Sequence, residues 1–459
     1  MSTSQMSYPA HARAALRLGL PLIGGHLGQV AIGVTDTVMV GWYGVEALAA
    51  VTLGSSYFFV LFLMGSGFAW AVMPLVAASL SAGDEVSIRR ATRMGLWLSF
   101  AFAVLVLPLM LFSQPILLAM GQEPQVALDA ARYLRTAGFG VFPALILMVL
   151  RNYLAALERT QIVFWITIVA AFANAAANYA LIFGNWGAPE LGIVGAAIAS
   201  VVTQTVSVLG AVLYVLVVLP HHALFQRLWR ADWEMLRRVF RLGWPIGLTS
   251  LSEVGLFAGS AVMMGWLGAI PLAAHGIALQ LASITFMVHL GLANVATIRA
   301  GNAVGRQDRP HLVRGARVVI VLSLTMAVLT IIGFVVWPEP LISLFMQRDE
   351  PARDQILAIG VVLLVLAALF QLVDGAQAVA LGLLRGVQDT TVPMVLAGVS
   401  YWVVGLPTSY GLGFVAGYGA AGIWMGLVVG LACAAALLML RFWRGGATQL
   451  APVAKPGLS

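Results

Sequence analysis

The feature that most constrains this chain is a succession of apolar runs, each about 20 residues or longer, separated by short polar breaks. Such a run can cross the hydrocarbon core of a bilayer as an α-helix, which satisfies its own backbone hydrogen bonds where water is absent. Twelve spans are expected, at 16–42, 46–80, 90–112, 130–152, 161–184, 191–219, 241–267, 271–299, 312–337, 354–385, 392–414 and 419–441. Composition agrees, because 9% of the 459 residues are charged, against roughly 25% in a soluble domain. A hydrophobic share of 61% excludes a disordered chain. A transmembrane barrel would show short alternating segments, and these are absent. The expected fold class is an all-α polytopic membrane protein with twelve transmembrane helices.

The net charge of +7 reports orientation rather than a nucleic-acid partner. With the N-terminus in the cytoplasm, the cytoplasmic connections, the termini and the flanking helix ends hold 21 of the 25 basic residues. The opposite side has four, Arg132, Arg135, Arg348 and Arg353. By the positive-inside rule both termini are expected in the cytoplasm, as in a multi-pass protein of a bacterial inner membrane. The first apolar run is too long for a signal peptide and leads directly into further spans.

Catalysis is not expected. The only lysine, Lys455, lies in the polar tail, so there is no Walker A loop, and neither HExxH nor G-x-S-x-G occurs. The single cysteine, Cys433, can form neither an intramolecular disulfide nor a zinc cluster. No cofactor and no structural metal are expected.

The chain repeats. Arg17 to Ala50 aligns without a gap with Arg241 to Ala274, at a constant offset of 224, and 14 of the 34 positions are identical. Six spans per half is an even number, so both halves enter the membrane the same way, related by a pseudo-twofold along its normal. The expected organisation is a first lobe at 1–219, a cytoplasmic linker at 220–240, a second lobe at 241–445 and a cytoplasmic tail at 446–459, with a cavity between the lobes. The linker's tryptophans and arginines suit a membrane interface.

Three of the 18 carboxylates lie well inside apolar sequence: Asp36, Glu253 and Asp374. Each costs at least ~2.5–3.5 kcal/mol there, so each needs a partner, a proton, a cation or a wet cavity. No arginine or lysine is expected deep inside a span to pair with them. Polar neighbours fall on shared helix faces. In the first span these are His26, Gln29 and Gly33 with Asp36, and in the tenth Gln371 and Gln377 with Asp374. Thr249 precedes Glu253 by one turn, Asn174 and Asn178 are four apart, and Gln280 and Ser283 share the eighth span. Such stripes are expected to line a cavity and handle a cation or proton. The repeat is asymmetric in charge, because Gln29 aligns with Glu253, and Asp36 with Ser260. Pro21 and Pro245 are repeat-equivalent and expected to kink their helices. His275 and His289 are expected to be hydrogen-bonded packing residues.

Two motifs carry a family resemblance. Gly33-Val-Thr-Asp-Thr-Val-Met-Val-Gly41 resembles the first-helix signature of the multidrug and toxic compound extrusion (MATE) transporters. Leu384-Arg-Gly-Val-Gln-Asp-Thr390, followed by Pro393 and Met394, resembles that family's loop between helices 10 and 11. Glu253 together with Asp374 is similar to the NorM-like branch.

The resemblance implies two six-helix bundles in a V, exporting drugs and other organic cations in exchange for Na⁺ or H⁺. It places Glu253 and Asp374 in a second-lobe cation site. It matches Asp36, Asn174, Asn178 and, more weakly, Ser200 to a first-lobe site, and Pro21 to the proline linked to bending of helix 1. Asn178 stands where some archaeal relatives carry an acid. A monomer in contact with membrane lipid is expected. A flippase of lipid-linked sugars from the same superfamily would want arginines inside the cavity, and a non-transporting membrane protein would not need three buried acids.

Overall fold

The computed structural model describes residues 6–347 and 351–446. Arg348, Lys455 and, apart from Gly446, the expected tail lie outside the described residues. All described regular structure is helical, and twelve helices are long and apolar enough to cross a membrane. They are α1 (Tyr8–Tyr43), α2 (Val45–Ala82), α3 (Glu85–Leu111), α4 (Pro124–Ala156), α5 (Thr160–Phe183) and α6 (Gly192–Val218). The second six are α7 (Trp233–Leu267), α8 (Ala269–Arg306), α9 (Arg309–Val336), α10 (Arg353–Gly386), α11 (Thr391–Val415) and α12 (Gly419–Gly445). Most extend past the expected spans, and α7 begins at Trp233, inside the stretch expected as linker.

The 224-residue offset runs further than the sequence alignment shows. α2 and α8 each hold 38 residues and start 224 apart, as do α3 and α9. The latter pair is also capped alike. Asp84 accepts a hydrogen bond from the Ser87 amide at 2.9 Å, and Asp308 accepts one from the His311 amide at 2.9 Å. A carboxylate in that position satisfies one of the unpaired donors of a helix start and complements its dipole. The bond also holds the Asp84 carboxyl below the usual aspartate range.

Packing divides the chain into two compact units along a line the sequence does not mark. One unit contains α1 up to Ile23 and the chain from Leu248 onward; the other runs from Gly24 to Gly247. The breaks at 23/24 and 247/248 are again 224 apart. Each follows, by two residues, one of the paired prolines, Pro21 and Pro245, which lie inside the continuous helices α1 and α7. Both helices therefore contribute to both units.

Helix contacts within each unit depend on close approach, because lipid tails solvate apolar side chains as well as a neighbouring helix does. In the Gly24–Gly247 unit, Gly67 of α2 lies against the start of α7. A Cβ there would stand 2.3 Å from the Gly243 carbonyl and 2.5 Å from the Gly247 nitrogen, both backbone atoms that cannot rotate away. Large apolar side chains such as Leu105, Phe172 and Trp42 are left on the outer surface, as a lipid-facing protein requires.

Gly67→Val is expected to destabilise the protein by about 1–3 kcal/mol through overpacking. This should appear as a lower midpoint in a thermal melt of detergent-solubilised protein, whereas an unchanged midpoint would contradict the close α2–α7 contact.

Candidate functional site

In the Gly24–Gly247 unit, α1 and α5 bring three of the expected residues together. Asn178 donates from Nδ2 to the Asp36 carboxyl at 2.6 Å and also lies 3.2 Å from the Asn174 Oδ1. The one-turn spacing on α5 aligns the two amides, and both asparagines are buried. Asn174 Nδ2 and Asn178 Oδ1 have no partner among the described residues. A carboxyl beside two amide oxygens is a hard-oxygen donor set of the kind that takes a small cation or a proton. Ser200 bonds its own helix at the Ala196 carbonyl, 3.1 Å away. Tyr133 of α4, which the spacing arguments missed, lies within electrostatic reach of Asp36 and accepts a hydrogen bond from the Ser55 hydroxyl at 3.3 Å.

Further along the α1 face, Gln29 and His26 lie in different surroundings from Asp36. Gln29 is exposed and makes no side-chain hydrogen bond among the described residues. His26 lies beside Arg151 of α4, whose guanidinium donates to the Thr167 hydroxyl of α5. Arg151 lies within α4, near the end of the expected fourth span. Sharing a helix face fixes direction only; the neighbours across the gap decide what a side chain meets.

The other unit holds the second cluster, on α7, α10 and α11. Gln377 donates to the Glu253 carboxyl at 2.8 Å. Asp374, 3% exposed, lies within electrostatic reach of Glu253, and its Oδ1 has no partner among the described residues. Gln371, one turn earlier on α10, turns away and donates to the Ala282 carbonyl at 2.7 Å. Gln280 is exposed and does not join the cluster. Ser260, at the repeat position of Asp36, bonds the Phe257 carbonyl of its own helix.

Two residues complete this cluster that the sequence reading did not assign to it. Arg385, at the very end of the expected tenth span, lies in the last turn of α10 and interacts electrostatically with Glu253. The expectation that no basic residue would reach the buried acids is thereby corrected. α10 ends one residue past the expected span, and the long arginine stem lets its head reach inward. Tyr401 of α11 is fully buried within reach of Glu253, Asp374 and Arg385. It sits in a π-helical turn at Ser400–Gly405, a local distortion frequent at functional positions. Nothing in the sequence around Tyr401 marks that turn.

His275 and His289 are packing partners within this unit. Trp424 donates to His275 Nδ1 at 3.0 Å, and His289 Nδ1 pairs with the Ser323 hydroxyl at 2.9 Å. No group of three or more His, Cys, Asp or Glu side chains suited to a metal occurs among the described residues.

A model of the MatE family matches residues 21–180 and again 245–411, so the two matches open on the paired prolines at the repeat offset. The chain belongs to the MatE family. Among its relatives, a probable multidrug resistance protein NorM of Rhizobium meliloti is 45% identical over 97% of this chain and 96% of its own length. A protein of the same name from Agrobacterium fabrum is 44% identical over 95% of this chain and 94% of its own. The solved outward-facing structure of a multidrug resistance MATE family transporter of the MOP superfamily superposes with a TM-score of 0.86 at 20% identity. It covers 99% of this chain and 100% of that one, and shares the fold. Twelve apolar helices in a MatE chain make this a multi-pass membrane protein.

Asn178→Ala removes the hydrogen bond to Asp36 and its contact with Asn174. It is expected to cost about 1–3 kcal/mol of stability, measured as a fall in the thermal midpoint of purified protein; no change would show that Asp36 does not depend on that amide.

Proposed function

We propose that this MatE protein is a secondary antiporter of the multidrug-efflux type. It exports cationic, amphipathic compounds in exchange for Na⁺ or H⁺ by alternating access, and does no covalent chemistry. The observation that carries this reading is the pair of carboxylates inside one unit of an apolar protein, the buried Asp374 and the half-buried Glu253 that Gln377 holds. Relatives named multidrug resistance proteins support it. The arginine bias of the connections supports an inner-membrane location with both termini in the cytoplasm. No cofactor is called for, and a single chain in lipid suffices.

The two acids lie too close to be charged together at low cost. One proton or one cation relieves that cost, and so does an organic cation, which makes the two classes of ligand competitors for the same negative charge. Competition is what couples them: entry of the ion on one side expels the substrate there, and loss of the ion on the other restores affinity for the next. Gln377 orients Glu253, and Arg385 balances charge when both acids are empty. Asp36 with Asn174 and Asn178 offers a second oxygen-rich position in the other unit. A potential of 100 mV is worth about 2.3 kcal/mol per charge moved, roughly a fortyfold gradient, so one or two ions drive useful export.

The test is efflux of a fluorescent organic cation from proteoliposomes, with a Na⁺ gradient and a pH gradient imposed separately. One of the two gradients is expected to drive efflux, and Asp374→Asn should reduce it to the level of protein-free vesicles while the protein stays folded. Full coupled efflux by that variant would overturn the assignment to the second cluster.

A further inference from the structure

The segment between α6 and α7 is tied to α3 rather than trailing free. Arg93 donates to the Leu224 and Ala223 carbonyls at 2.7 and 2.6 Å, and Trp97 donates to the Leu228 carbonyl at 2.7 Å. Arg90 holds Asp232 at 2.5 Å and Glu234 at 2.8 Å. These contacts enclose a cleft of about 480 Å³ between the first turns of α3 and α7, wholly within the Gly24–Gly247 unit. That volume is in the range of small-ligand sites.

The charges around the cleft do not balance. Four arginines line it, Arg89, Arg90, Arg93 and Arg230, against two carboxylates, Asp232 and Glu234, which leaves an excess of two positive charges. Both carboxylates are engaged by Arg90, and Arg93 is engaged by backbone carbonyls. The Arg90 contact, more than any other, holds the Asp232 carboxyl below the usual aspartate range, so this acid stays committed to that pair at neutral pH. The guanidinium groups of Arg89 and Arg230 make no hydrogen bond or ion pair among the described residues, and both residues line the cleft, one from α3 and one from the segment before α7. Trp233 lines the same cleft and is 72% exposed, with Trp229 beside it in sequence 79% exposed. Exposed tryptophans beside arginines are characteristic of the headgroup level of a bilayer.

We propose that this cleft binds a phosphate-bearing anion, presented by the headgroup of an acidic phospholipid, between Arg89 and Arg230. The anion bridges the first turn of α3 to the segment leading into α7, and so fastens the start of the helix that carries Glu253. A guanidinium on each side accommodates two non-bridging oxygens of a phosphodiester, while the acyl chains leave past Trp233 into the bilayer.

Native mass spectrometry of the detergent-purified full chain, titrated with short-chain phosphatidylglycerol or phosphatidylcholine, tests this. The parent is expected to retain one phosphatidylglycerol in preference to phosphatidylcholine. Losing one arginine should weaken that binding about fivefold, and Arg89→Gln with Arg230→Gln together about thirtyfold. Arg89→Lys with Arg230→Lys keeps the charge and should retain most of the preference, which separates loss of the site from loss of the fold. Arg227→Gln, outside the cleft, should bind as the parent does. Inorganic phosphate forms a separate arm. If it displaces the retained lipid from the parent, free phosphate shares the site; if only phosphatidylglycerol binds, the headgroup is the source. Equal retention of the two lipids by the parent, or undiminished phosphatidylglycerol binding by the double glutamine variant, would overturn the proposal.

Discussion

A carboxyl group inside a hydrocarbon-spanning helix has no water to solvate it, and the internal arrangement of this protein follows from that cost. Asp36 meets it with an asparagine donor from α5, and Glu253 meets it with a glutamine donor and a nearby arginine from α10. Asp374 meets it least well, with one oxygen unpartnered among the described residues and a second acid alongside. The fully buried Tyr401 and the π-helical turn that carries it stand beside these acids.

Much of the fold was legible in the sequence, because hydrophobic run length is a strong signal and a membrane permits few alternatives. The helix ends were less legible. α1, α7 and α8 run well beyond their apolar cores, carrying exposed arginines such as Arg13, Arg237 and Arg306. Arg151 and Arg385 stand near the ends of their expected spans, where the sequence does not show that each head turns toward a partner inside the protein. Within the sites, the acids and the paired asparagines were visible because an ionisable or amide group in an apolar run needs a reason to be there. Gln29 and Gln280 carried the same signal and are exposed, since a helical face specifies a direction and not what stands opposite. Tyr133 and Tyr401 were invisible for the converse reason. A tyrosine in a membrane helix is ordinary, and only the packing of distant segments makes these two part of a charged cluster.

The duplication is preserved most faithfully where it governs chain direction, in the matched caps of α3 and α9 and in the equal lengths of α2 and α8. It is preserved least where it governs chemistry. Asp36 faces asparagines in one unit, while its counterpart Ser260 bonds its own backbone in the other. Geometry that positions helices tolerates no drift, whereas two copies of a charge site are free to take up different work.

Because α1 and α7 each serve both units, neither half of the gene encodes a self-contained body. During synthesis the unit that spans Gly24–Gly247 cannot close until the opening turns of α7 have emerged. The other must keep the first residues of α1 in waiting until the chain beyond Leu248 arrives to cover them. Assembly is thus stitched at both ends of the same repeat, and a ribosome that stops in the segment between α6 and α7 leaves two unfinished bodies rather than one finished and one missing.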